Sequence, residues 1–89
     1  MEQQWSIYIL RCADQSFYTG IALDPQRRLD EHNHDNQKAA KYTRARRPVS
    51  LVYCEPAADR SSASKREYVI KKLSRSAKLA LIDSSQQYD

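Results

Sequence analysis

Trp5-Ser6-Ile7-Tyr8-Ile9-Leu10-Arg11 and Phe17-Tyr18-Thr19-Gly20-Ile21-Ala22 are the two stretches from which the fold is read. Both are rich in β-branched and aromatic residues, which suit a pleated, half-buried surface, and both read as strands. Ala13-Asp14-Gln15-Ser16 between them supplies turn chemistry, so the pair reads as a hairpin. Side chains alternate across a strand. If Ile7, Ile9, Phe17 and Ile21 share one buried face, Tyr8 and Tyr18 share the other. That arrangement requires an odd-length loop or a bulge.

Working outward, Asp24-Pro25 is a helix start, a capping carboxylate followed by proline at the first helical position. The helix is expected over Pro25 to about Asn33. Leu29 is almost its only apolar residue, and Arg28 and His32, four apart, flank it on one face. Asp35 to Pro48 is polar and basic, with a helical turn expected around Lys38 to Tyr42. Val49 to Glu55 reads as a third strand closed by Pro56. Asp59 to Leu73 has a helical period, with Ala63, Ile70 and Leu73 on one stripe. Ser74 or Ser76 can cap a last helix carrying Leu79, Leu81 and Ile82. The expectation is an α+β domain, β-β-α-β-α-α, with a three-stranded antiparallel sheet flanked by helices. It would span residues 5–82, between a flexible N-terminus (1–4) and a disordered tail (83–89).

The 89 residues allow one small domain. Cys12 and Cys54 form no C-x-x-C pair, which fits neither a zinc site nor a disulfide-rich secreted scaffold. Met1 to Trp5 has no basic region leading into an apolar stretch, so no signal peptide is expected. Apolar runs are far too short for a membrane span. A cytoplasmic location follows as an expectation. Net charge is +4, and the basic residues are clustered. Arg27, Arg28, Lys38, Lys41, Arg44, Arg46 and Arg47 form one group, and residues 60–78 hold another in which Glu67 is the embedded acid. Such clusters attract a polyanion, although solvated helix faces look the same.

Ser6-Ile7-Tyr8 followed by Tyr18-Thr19-Gly20 resembles the paired tripeptides of the GIY-YIG endonucleases. Arg28, His32 and Glu67 follow at the family's spacings. Lys41-Tyr42-Thr43-Arg44 and Leu73-Ser74-Arg75 resemble its short stand-alone branch. Serine stands for the first glycine and threonine for the middle isoleucine, and no asparagine after Glu67 matches the one many members carry. The resemblance implies a divalent-metal-dependent nuclease acting on DNA, in repair or recombination, with one Mg²⁺ or Mn²⁺ ion as cofactor. It assigns catalysis to Tyr8, Tyr18, Arg28 and His32, with Tyr18 activating water and Tyr8 assisting, and metal binding to Glu67.

Residue chemistry agrees with these roles and leaves alternatives open. Hydrolysis needs a nucleophilic water, a cation for the departing oxyanion and donors for the transition state. Glu67 is a hard oxygen ligand of the kind Mg²⁺ takes, or an i,i+4 partner for Lys71. Arg28 is a forked cation for phosphate, or a solvated helix arginine. Tyr8 and Tyr18 are phenols that titrate near pH 10 when free, and equally suit the edge of a core. His32 can orient water or move a proton, or stand exposed like His34. Gly20, the single glycine, fits an open floor beneath a phosphate or a β-bulge. Lys41, Tyr42 and Arg44 alternate cations with a ring, as in grips on nucleic acid. Tyr42 has a second possible place, in the catalytic pocket. Two further readings stand beside the nuclease. One is a non-catalytic module of the same fold that binds nucleic acid or a partner nuclease. The other is a protein-interaction domain whose charge serves solubility.

Overall fold

A computed structural model describes residues 4–85. Strand β1 (Trp5–Arg11) is central, with β2 (Phe17–Ala22) on one side and β3 (Ser50–Ala57) on the other, both antiparallel to it. Helices α1 (Pro25–His34), α2 (Lys41–Arg44), α3 (Arg60–Lys71) and α4 (Arg75–Ser85) complete the expected β-β-α-β-α-α order, with α2 as one added short turn. The protein is an α+β fold with a three-stranded antiparallel sheet.

Helices cover both faces of the sheet, which explains why Ile7, Tyr8, Ile9 and Leu10 are all buried in a row. Ile7 and Ile9 pack with Ala63 and Ile70 of α3 and Ile82 of α4, joined by Phe17 and Ile21. Tyr8, Leu10, Cys12, Ala22 and Val49 form the other cluster, against Tyr18 and Leu29. Arg11 pairs with Phe17 and leaves the odd-length loop 12–16. Tyr8 and Tyr18 accordingly lie on the face opposite the isoleucines, as strand alternation predicts.

Three of the four helices start at a side-chain cap, while α2 follows Ala40, which makes no side-chain capping bond. Asp24 Oδ1 accepts from the Arg27 amide (3.1 Å), Asp59 Oδ1 from Ser62 (2.8 Å), and Ser74 Oγ from Ala77 (3.2 Å). Three boundaries differ from the sequence expectation. Pro56 does not close β3; it pairs with Ser6 inside the strand. Because β3 is an edge strand, the missing proline N–H can face outward without breaking the ladder. The basic-segment helix begins at Lys41, past the turn centred on residues 36–38. Helix α4 continues through Ser85, past the expected domain end at residue 82. The terminal segments expected to be flexible lie largely outside the described residues.

The poorly apolar α1 is fixed by polar contacts instead of by a broad hydrophobic stripe. Asn33 exchanges two hydrogen bonds with the Val49 backbone (2.9 and 2.8 Å), and Arg47 Nε donates to the His32 carbonyl (2.6 Å). These contacts lock α1 to the entry of β3 and place its inner face over the tyrosines.

Candidate active site

Tyr8 is the centre of the site, and three elements converge on it. The ring projects from β1 and is 1% exposed. Its hydroxyl lies 2.9 Å from Nε2 of His32 on α1. On β2, Gly20 pairs with Tyr8, and a Cβ built there would fall 2.5 Å from Tyr8 Oη and 2.6 Å from Cζ. Gly20 is neither at a bulge nor an open floor. The phenol itself fills the space a side chain would take, while the register irregularity falls between Ile9 and Leu10 in the β1–β3 pairing.

His32 is fully buried, unlike the exposed His34. Its Nδ1 lies 2.7 Å from the hydroxyl of Thr43, which donates to the Ala40 carbonyl at 3.0 Å. The Ala40 amide also points at Nδ1, at 3.5 Å, so both ring nitrogens have partners and Tyr8, His32 and Thr43 form one buried polar chain. Burial, reinforced by the positive charge of Arg28, lowers the His32 pKa to about 4, so the ring is neutral near pH 7. Burial likewise pushes the Tyr8 phenol above its ordinary range, helped by nearby Tyr18 and Glu67 and opposed by Arg28.

Tyr18 is half-buried, its ring 6.5 Å from that of Tyr8 and 5.1 Å, edge-on, from His32. Tyr42 joins this aromatic group, 6.1 Å from Tyr18 and near-parallel to it, so its ring stands beside the site. Arg28 is partly buried, and its Nη1 donates to Glu31 (3.1 Å) and to the Lys38 carbonyl (2.6 Å). Glu67 comes from α3, where Lys71 Nζ lies 3.4 Å from its Oε2. Arg44 is exposed and donates to the Asn36 carbonyl (2.8 Å), and Lys41 is exposed at the start of α2. Neither is in the tyrosine cluster.

Thr43, Arg46 and Arg47 join the site without a sequence signature of their own. Thr43 fixes the imidazole. The Arg46 guanidinium lies 3.9 Å from the centre of the Tyr42 ring and is held by Asp14 at 3.1 Å. Arg47 holds the backbone of His32. Thr43 and Arg46 sit in or beside the quoted segment 41–44, which was the one signal available.

A sequence model described as the GIY-YIG catalytic domain matches residues 4–80. The chain belongs to the GIY-YIG family. It is 53% identical over 83 residues to a UPF0213 protein of Desulfotalea psychrophila, covering 93% of this chain and 74% of that one. A UPF0213 protein of Staphylococcus saprophyticus is 54% identical over 76 residues, 85% of this chain and 90% of its own. Two solution NMR structures match the fold. A UPF0213 protein from Bacillus halodurans has a TM-score of 0.59 at 38% identity, over 96% of this chain and 88% of that one. A protein from E. faecalis has a TM-score of 0.64 at 39% identity, over 99% and 92%. Membership in the GIY-YIG family implies a nuclease in general and nucleic acid as its substrate. Nucleases of this family generally use divalent metals. Among the described residues no helix is long and apolar enough to cross a membrane.

Proposed function

We propose that this GIY-YIG chain is a divalent-metal-dependent endonuclease that hydrolyses phosphodiester bonds in DNA, in repair or recombination. The observation that carries it is the convergence of β1, β2 and α1 on the Tyr8 hydroxyl, over Gly20 and with Arg28 one turn before His32 on α1. The free thiols of Cys12 and Cys54 suit a reducing compartment, and the cytoplasm is the proposed location.

The donor set fits a hard, largely hydrated ion. Among the described residues no group of three or more His, Cys, Asp or Glu side chains gathers for a metal, which argues against a zinc-type cage. One carboxylate suits Mg²⁺ or Mn²⁺, which retain several waters. Glu67 would hold that ion, which when bound supplies positive charge for the phosphate and the departing oxyanion.

The remaining roles fall to the chain's own groups. Tyr8 is a neutral phenol, buried and bonded to a neutral imidazole, so it orients hydrogen bonds instead of meeting solvent. His32 holds the Tyr8 hydroxyl in place, and Thr43 holds His32. Tyr18 is the accessible phenol, and it is the group proposed to take the proton from the attacking water. Arg28 uses Nη1 internally and has further N–H donors for a phosphate oxygen. Lys41, Tyr42 and Arg44 hold the flanking nucleic acid.

The test is cleavage of end-labelled single-stranded, duplex and branched DNA in Mg²⁺, Mn²⁺ or EDTA, with native protein and folded Glu67→Ala and Tyr18→Phe variants. Cutting by native protein that EDTA and Glu67→Ala abolish supports the reading. Binding without cutting by all three proteins overturns it in favour of a non-catalytic module.

A further inference from the structure

Beside the tyrosine cluster the surface opens into a cleft of about 190 Å³ lined by Phe17, Tyr18, Thr19, Tyr42, Lys71 and Lys78. Tyr18 belongs to both the cleft and the site, so whatever occupies one touches the other. The Tyr18 and Tyr42 rings are inclined at only 29° with centroids 6.1 Å apart, and Phe17 lines the cleft from the neighbouring position on β2. Arg46, anchored by Asp14, lies against Tyr42 and holds that ring in place. Two lysines also line the cleft. Lys71 links it to the Glu67 carboxylate (3.4 Å), and Lys78 pairs with no carboxylate among the described residues.

Near-parallel aromatic rings, a hydroxyl and two lysines match one nucleobase with its own phosphate, and the volume is below the roughly 300–1,000 Å³ of drug-sized pockets. A base inside an intact duplex cannot enter, because its faces are stacked and its edge is paired. Extrusion is easiest where the base is already unpaired. Resting on the nuclease reading above, we propose that this cleft receives an unstacked base of the nucleotide next to the scissile phosphate, and selects DNA with an unpaired nucleotide there.

The experiment measures affinity by fluorescence anisotropy in EDTA, so that binding is read without cutting. Three labelled duplexes of one sequence are compared: fully paired, with one central unpaired nucleotide, and with that nucleotide abasic. Native protein should bind the unpaired-nucleotide duplex roughly tenfold more tightly than the paired one, and the abasic form should lose this advantage. Tyr42→Leu should abolish the preference and Tyr42→Phe retain it, because stacking needs the ring and not the hydroxyl. Lys78→Ala should lower the salt dependence of binding by about one phosphate contact. Tyr42 is exposed and Lys78 half-buried, and circular dichroism checks that the variants fold. Equal affinity for the three duplexes, or a preference that survives Tyr42→Leu, overturns the proposal. Adding Mg²⁺ or Mn²⁺ to the same duplexes separates the two readings. Cutting without discrimination removes the base cleft alone, and discrimination without cutting removes the nuclease alone.

Discussion

Gly20 and Tyr8 share one volume: a Cβ on the glycine would stand 2.5 Å from the tyrosine hydroxyl. Backbone freedom is not the reason, since Gly20 lies in regular β2. Gly20→Ala should therefore push the phenol away from His32. Overpacking of this kind costs about 1–3 kcal/mol, and a misplaced catalytic group typically loses on the order of 10²-fold in rate. Thermal melting and cleavage rate check both. A Tyr8→Ala background should remove most of the stability penalty of Gly20→Ala, because the ring it meets is gone.

Thr43 is a polar group at zero exposure whose hydroxyl partners His32 Nδ1 at 2.7 Å. Thr43→Val keeps the shape and strands a buried imidazole nitrogen, for which about 1–3 kcal/mol of destabilisation is expected. Thr43→Ser should restore most of it. Denaturant titration of the three proteins decides, and equal stabilities would show that the bond contributes nothing.

His32 makes stability depend on pH in a particular window. Its folded pKa, about 4, lies below the ordinary 6.5, so the fold prefers the neutral ring. That contribution is full above pH 6.5 and is lost as pH falls from there towards 4. Its size is on the order of 3 kcal/mol. The lowered carboxyls of Asp14, Asp35 and Asp59 act in a separate window, since stability from them disappears only below their ordinary values near 4. Urea denaturation between pH 7 and pH 4.5 should show the decline in native protein and a flatter profile in His32→Gln.

The alternation of Ile7, Tyr8 and Ile9 was enough to put both tyrosines on one face, because strand parity is a local property. Asp24-Pro25 located α1 for the same reason. Contacts made across the chain left no such trace. Thr43 reaches His32 over eleven residues, and Asn33 reaches Val49 over sixteen. No period or spacing encodes either. Pro56 misled because a proline ends a central strand but fits an edge, and strand order is a tertiary fact. Gly20 was legible as a place where a side chain would obstruct, but the obstructing neighbour, Tyr8, needed the register.

Lys41 and Arg44 were read together from sequence, yet their settings differ. Arg44 donates to the Asn36 carbonyl, whereas Lys41 is exposed at the start of α2. Lys41→Ala should weaken DNA binding across sequences and lower the salt slope by about one, with little change in stability. Arg44→Ala should weaken binding and also loosen the connection to the turn after α1. Binding isotherms at several salt concentrations, with melting curves beside them, test the distinction.

Glu67 can be separated from its ion pair with Lys71. The pair spans i,i+4 on α3 with side chains 23% and 53% exposed, so it should contribute only about 0.3–0.5 kcal/mol. Glu67→Gln and Lys71→Ala both break it and should lower stability by the same small amount. If Glu67 were only a salt-bridge partner, the two variants would also cleave alike. As a metal ligand, Glu67→Gln should lose about 10²-fold or more in cleavage. Lys71→Ala retains the carboxylate and frees it from a competing cation. Its half-saturating Mg²⁺ concentration should fall, even where loss of the cleft ammonium weakens substrate binding. A metal titration of cleavage at saturating DNA distinguishes these outcomes, and unchanged metal dependence in both variants would remove Glu67 from the metal site.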